Sequence, residues 1–141
     1  MRFYSEQLTV HTVQPIQLLD VTKEVTAIIA RSKVQNGLTV VATHHTTTAI
    51  RINEPCARLA DDLLAFFEKL TPRSDVYQHN INSTDGRFNA HSHLLAWLMG
   101  ASENIPVRDG ALQLGRWQSL FFVELDGPRP ERTITATVIG E

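Results

Sequence analysis

The sequence predicts an α+β fold: one compact domain over residues 1–141, with mostly antiparallel β-sheets packed with two to three helices. Three observations predict it. Strand-like and helix-like segments follow one another without the regular βαβα rhythm of a Rossmann sheet or a TIM barrel. Two long stretches, and a shorter third, carry apolar residues at helical spacing. The C-terminal part alternates apolar with polar residues around the turn signals Asp109-Gly110 and Asp126-Gly127-Pro128.

The elements follow in order. Phe3, Tyr4, Leu8, Val10 and Val13 stand between polar residues, a strand pattern over 3–13 that Pro15 limits. From Asp20 onward, Val21, Val25, Ile28 and Ile29 fall at helical spacing. Asp20 or Thr22 is available as N-cap and Asn36-Gly37 is the stop signal. Leu38 to Ile52 alternates as a strand, with a bulge expected at Thr46-Thr47-Thr48. Leu59, Leu63, Phe66, Phe67 and Leu70 make an apolar helical stripe that Pro72 ends. Residues 73–87 are polar and read as a long surface loop. A short helix begins at Asn89, its expected cap, and stops at Gly100. Ile105 to Leu114 is a hairpin turning at Asp109-Gly110, Trp117 to Leu125 an apolar strand, and Arg132 to Ile139 a final alternating strand.

Bulk properties narrow the class of function. A chain of 141 residues buries one substantial core. Thirteen basic against fifteen acidic residues, with no Lys/Arg run, give none of the phosphate-neutralising stripe of a nucleic-acid binder. No segment approaches the roughly 20 apolar residues of a membrane span, and the N-terminus lacks a secretory pattern. Cys56 is the only cysteine, so no intrachain disulfide exists and the cytoplasm is the expected compartment. Nothing local activates its thiol, which reads as half-buried rather than nucleophilic.

Histidines are the best pointer to a site, because imidazole both ligates metals and carries protons near neutral pH. His45, His79 and His93 each sit beside small polar residues. If 39–53 is one uninterrupted strand, Val41, Thr43, His45, Thr47, Arg51 and Asn53 share a face, and His44 points the other way. His91 and His93 are about 200° apart on a helix, so they cannot chelate one ion together. His93, at the start of the apolar run, is expected to be the inward one. Asp62 lies on the flank of the Leu59-Leu63-Phe66 stripe, suited to orienting a histidine or to acting as a general base. Its other reading is helix solvation near a positive dipole end. Three imidazoles with an open fourth position would suit a catalytic zinc. Walker A, Gly-x-Gly-x-x-Gly, Gly-x-Ser-x-Gly and Cys-x-x-Cys patterns are absent.

His45-Thr46-Thr47-Thr48-Ala49-Ile50 with Asn53-Glu54, Asp62, Tyr77-Gln78-His79-Asn80, Asn89-Ala90-His91-Ser92-His93-Leu94, Gly115-Arg116-Trp117-Gln118 and Asp126-Gly127-Pro128-Arg129 together resemble the YjbQ-like family. Its members are named secondary thiamine-phosphate synthases. The resemblance implies a homotrimer of compact α+β domains with a histidine-containing polar pocket. It also implies coupling of hydroxymethylpyrimidine diphosphate to thiazole phosphate as a weak or side activity. Carried over by position, it makes His45, Asp62, His79 and His93 the catalytic candidates and His45, His79 and His93 the metal candidates, for zinc or magnesium. Asn53, Glu54, Asn89, Trp117 and Gln118 become the substrate-binding candidates. No organic cofactor is implied. Arg51, Arg116 or Arg129 would neutralise phosphate. Arg116 and Ser119 stand where the family usually has Thr and Gly, and His91 is an extra imidazole. Two alternatives compete: a zinc-dependent hydrolase, and a non-catalytic trimeric protein that binds a small phosphorylated or heteroaromatic metabolite.

Overall fold

The computed structural model describes all residues 1–141. Two antiparallel sheets form its body. In the first, the strand order is β1 (Arg2–Thr12), β8 (Arg129–Gly140), β3 (Gly37–Thr43), β5 (Ser102–Arg108), β6 (Ala111–Leu112). The second is β2 (Gln17–Asp20), β7 (Ser119–Glu124), β4 (Thr48–Asn53). Three helices complete the fold: α1 (Thr22–Ser32), α2 (Ala57–Leu70) and α3 (Ala90–Met99).

Period-two alternation drives the larger sheet onto the core. Along β8, Arg132, Ile134, Ala136 and Val138 are buried while the residues between them are more open. The main core joins Ile134, Ala136 and Val138 to Val41, Ile105 and Val107 of the same sheet, to Ile50, Leu120 and Phe122 of the smaller one, and to α1. Val25, Ile28 and Ile29 of α1 are fully buried, as their spacing predicts. Each such side chain contributes about 1.5–3 kcal/mol by leaving water. Asp20 opens α1 by accepting the Thr22 backbone N–H at 3.0 Å. The helix stops earlier than Asn36-Gly37 suggests, at Lys33, whose φ of 59° is left-handed.

A second, smaller core lies on the other face of β2-β7-β4. Phe67 of α2 and Leu95 of α3 pack there on Ala49, Val123 and Leu125. Only Phe67 of the α2 stripe is buried, and Phe66 and Leu70 remain exposed. The hairpin at Asp109-Gly110 forms as expected, with φ of 51° and 71° at the two residues. Gly127 is required by close approach, because a Cβ there would strike the carbonyl oxygen of Gln14.

Four expectations are corrected. The segment Leu38 to Ile52 is not one bulged strand: β3 and β4 belong to different sheets, joined by a corner at 44–47. The corner changes the parity, so Val41 and Ile50, placed on opposite faces by strict alternation, both enter the main core. β2 was hidden because Pro15 and the helix signal at Asp20 leave only four residues between turn and helix. Trp117 and Gln118 precede β7 in a turn, where Gln118 Oε1 accepts the Gly115 N–H at 2.7 Å. The loop 73–87 contains a short 3-10 turn, Gln78–Asn80, which holds His79.

Candidate functional site

The corner at 44–47, the start of α3 and the turn between β7 and β8 enclose a polar pocket of about 310 Å³ with no hydrophobic residue in its wall. His44, His45, Thr46 and Thr47 come from the corner, Asn89 from just before α3 and His93 from its first turn. Asp126, Arg129 and Arg132 come from the turn and β8, and Asp85 from the long loop.

His45 is anchored. Its Nε2 accepts the backbone N–H of Thr133 at 2.9 Å, so its proton rests on Nδ1. Burial, then the nearby Arg132 guanidinium, pushes its pKa below the ordinary imidazole value. His44 lines the same pocket, because the corner frees the pair from strand parity, and its Nε2 lies 2.8 Å from Thr135 Oγ1. His93 is half-buried and its pKa is also lowered, by burial first and by His79 second. The rings of His79 and His93 meet edge to face, with centroids 4.6 Å apart.

Asp126 organises one side. It accepts Asn89 Nδ2 at 3.0 Å and Arg129 Nη2 at 2.9 Å, and lies 3.3 Å from Arg87 Nη1. Burial opposes its charge, but the hydrogen bonds from Asn89 and Arg129 outweigh that and hold its pKa below the usual carboxylate range. A carboxylate only accepts, so the Asn89 amide must turn its NH₂ to Asp126 and its oxygen to His79, 3.2 Å away. His79 Nε2 therefore donates. Asn89 does not cap its own helix; Asn80 Oδ1 does, by accepting the Ala90 N–H at 3.1 Å.

Beneath the pocket lies a buried ion pair. Arg132 donates through Nε to Glu124 Oε2 at 2.8 Å and through Nη2 to Glu124 Oε1 at 2.6 Å and Thr47 Oγ1 at 3.0 Å. Thr12 Oγ1 donates to the same carboxylate at 2.9 Å. Burial alone would raise the Glu124 pKa, and the Arg132 hydrogen bonds reverse the sign.

The structure thus brings together His45, His93 and Asn89, with His79 against His93. It does not bring the other candidates there. Asp62 is exposed on α2 and lines neither this pocket nor the apolar cavity described below. Asn53 and Glu54 line that other cavity. Trp117 is exposed, with the Arg116 guanidinium 5.1 Å above its ring, and neither that arginine nor Arg51 reaches the polar pocket. Of the suggested phosphate partners only Arg129 lines it. His91, not His93, is the deeper imidazole: it is buried, and His93 faces the pocket. Asp126, Arg132 and Asp85 were missed as site residues, since a turn motif, a strand start and a loop carry no signal of convergence.

The residues fit a three-histidine zinc seat poorly. Such a seat needs three nitrogens about 2.0–2.1 Å from one point. His45 Nε2 accepts the Thr133 N–H and its proton sits on Nδ1, so in this form it has no free lone pair for a metal. No group of three or more His, Cys, Asp or Glu side chains is placed to hold one ion.

Comparison with known proteins supplies the relationship. A UPF0047 protein of Methanothermobacter thermautotrophicus is 40% identical over 141 residues, covering 100% of this chain and 95% of that one. UPF0047 protein YugU of Bacillus subtilis is 32% identical, covering 94% and 97%. Among solved structures, a YbjQ-like protein of unknown function from Sulfolobus solfataricus superposes with a TM-score of 0.94 at 38% identity, covering 99% of each chain. A hypothetical protein of Aeropyrum pernix reaches 0.91 at 40% identity, covering 98% and 99%. Residues 6–141 match the family described as UPF0047 protein YjbQ-like, and to that family this chain belongs.

Proposed function

We propose that the polar pocket binds a small phosphorylated metabolite and stabilises the charge that develops when its phosphate ester breaks. One observation carries this reading: two arginines and three histidines share a pocket without a single apolar neighbour. Arg129 and Arg132 spend Nε and Nη2 on Asp126 and Glu124, and no hydrogen bond within the chain engages the Nη1 of either. Those nitrogens are the natural donors to phosphate oxygens. The neutral imidazoles of His45 and His93 add polar contacts without raising the charge.

Within that class, the YjbQ-like resemblance supports coupling of hydroxymethylpyrimidine diphosphate to thiazole phosphate. The thiazole nitrogen forms a bond to the pyrimidine methylene carbon as the bond from that carbon to pyrophosphate breaks, and pyrophosphate leaves with the electron pair. No proton must be removed for the attack. The chain's task is then electrostatic: Arg129, Arg132 and the imidazole N–H groups stabilise the departing pyrophosphate. The assembly is proposed to be a homotrimer, supported by exposed apolar side chains on α3, where Trp97 is 88% and Leu98 66% exposed.

Calorimetry with inorganic pyrophosphate tests the binding. Saturable binding that Arg129→Met weakens is expected; undiminished binding by that variant overturns the site. Incubation with both substrates, in magnesium and again in chelator, tests the coupling. Binding without any thiamine phosphate would leave a non-catalytic binding protein. No structural feature favours the hydrolase.

A further inference from the structure

A second cavity, of about 400 Å³, lies between the N-terminal half of α2 and the outer face of β2-β7-β4. It is separate from the polar pocket. β4 leads from Thr48, next to the corner, to Asn53 in the cavity wall, five strand steps or roughly 17 Å.

The sequence of α2 explains why the space is open. Its inward residues are Ala57, Ala60, Leu63 and Phe67. Leu63 and Phe67 are long enough to reach the smaller core, and Phe67 is buried there. Ala57 and Ala60 are not, so the helix is pinned at one end and leaves a wedge at the other. The sheet cannot collapse into it, because Ile50, Leu120 and Phe122 on its opposite face are locked in the main core. The far wall is apolar, with Leu18, Phe121 and Val123.

The mouth has a definite sign. Arg51 is neutralised by Glu103 at 3.0 Å and donates to the Met99 carbonyl at 2.9 Å. Asp20 and Glu54 also line the cavity, and neither forms an ion pair. The geometry points to a second binding site, for a small amphipathic amine whose aromatic or aliphatic body fills the wedge below Ala57 and Ala60 and whose cationic head meets Asp20 and Glu54. Its size suits a small organic ligand. The negative mouth selects against anions, so this ligand differs in class from the phosphorylated occupant of the polar pocket.

The probe is 1-naphthylmethylamine, titrated into full-length protein carrying ¹³C-labelled Leu and Met methyl groups, with 1-naphthaleneacetate and 1-naphthalenemethanol as anionic and neutral controls. Saturating shifts at Leu18, Leu63 and Met99 are expected, with the amine bound about tenfold tighter than the acetate, the order expected when a solvent-exposed charge attraction replaces a repulsion. Occupancy should also slow alkylation of Cys56, which lines the cavity. Ala60→Leu, or Ala57→Leu should that variant fold poorly, fills the wedge and should abolish the shifts. Glu54→Gln should weaken the amine and leave the neutral alcohol unchanged. The proposal is overturned by absence of saturable shifts, by equal affinity for the acetate, or by unchanged binding to the filled variants. It is equally overturned if the cavity is closed by a second copy, seen as an Ala60→Leu variant that changes the mass of the assembly and a wild type that binds none of the probes.

Discussion

The Nε2 of His45 is 2.9 Å from the backbone nitrogen of Thr133, whose N–H it accepts. This one contact ties the corner between the two sheets to β8 and keeps the imidazole in its Nδ1–H form. Removing it by His45→Ala leaves a partly buried N–H without a partner, and a loss of about 1–3 kcal/mol in unfolding free energy is expected. His45→Gln, whose amide oxygen is also an acceptor, should recover part of the loss. Urea denaturation of the three proteins measures it.

The pair Arg132–Glu124 is 5% and 0% exposed and should behave as a unit. Glu124→Leu alone strands a buried guanidinium and should cost about 3–5 kcal/mol. The double variant Arg132→Met with Glu124→Leu should be far less destabilised than the single one. A double-mutant cycle by chemical denaturation that gives additive losses would contradict this coupling.

Stability should depend on pH in two stages. His45, His91 and His93 have folded pKa values below the ordinary 6.5, each mainly through burial. As pH falls below about 6.5 the unfolded chain takes up protons first, so this contribution is complete above that pH and is lost as pH falls through the folded values. Glu124 and Asp126, also lowered, lose their contribution only further down, below the ordinary carboxylate range. The Nδ1 of His91 is buried without a partner. His91→Leu should therefore be nearly neutral at about pH 7.5 and shrink the loss between about pH 7.5 and pH 5. Unfolding free energies measured across that range check both statements.

Trp97, Leu98 and Leu94 form an exposed apolar face on α3. With a homotrimer assembled through it, light scattering gives three times the chain mass for the wild type and a lower mass for Trp97→Glu, with an unchanged circular dichroism spectrum. A monomeric wild type would end that reading.

Much of the fold was legible because its signals are local. The stripe Val21-Val25-Ile28-Ile29, the Asp109-Gly110 turn and the alternation of β8 each follow from the period of one element. The break at 44–47 was not, because Thr-rich alternation reads the same whether the chain continues in one sheet or crosses to another. The error carried into the site: strand parity set His44 aside, yet both corner histidines line the pocket. Likewise the spacing of Leu59 to Leu70 announced a helix but not how little of its stripe would be covered.

By itself the sequence determined the α+β class, most of its elements, the family resemblance and the choice of His45, His79 and His93 as candidates, since periodicity and motif are properties of neighbouring residues. Only the tertiary structure decided which of those residues meet. It joined His45 and His93 to Arg129 and Arg132, seated His79 against His93, and left Asp62 and Trp117 elsewhere. Convergence of side chains from a corner, a helix start and a turn depends on how two sheets pack, and packing is set by long-range burial that no local pattern encodes.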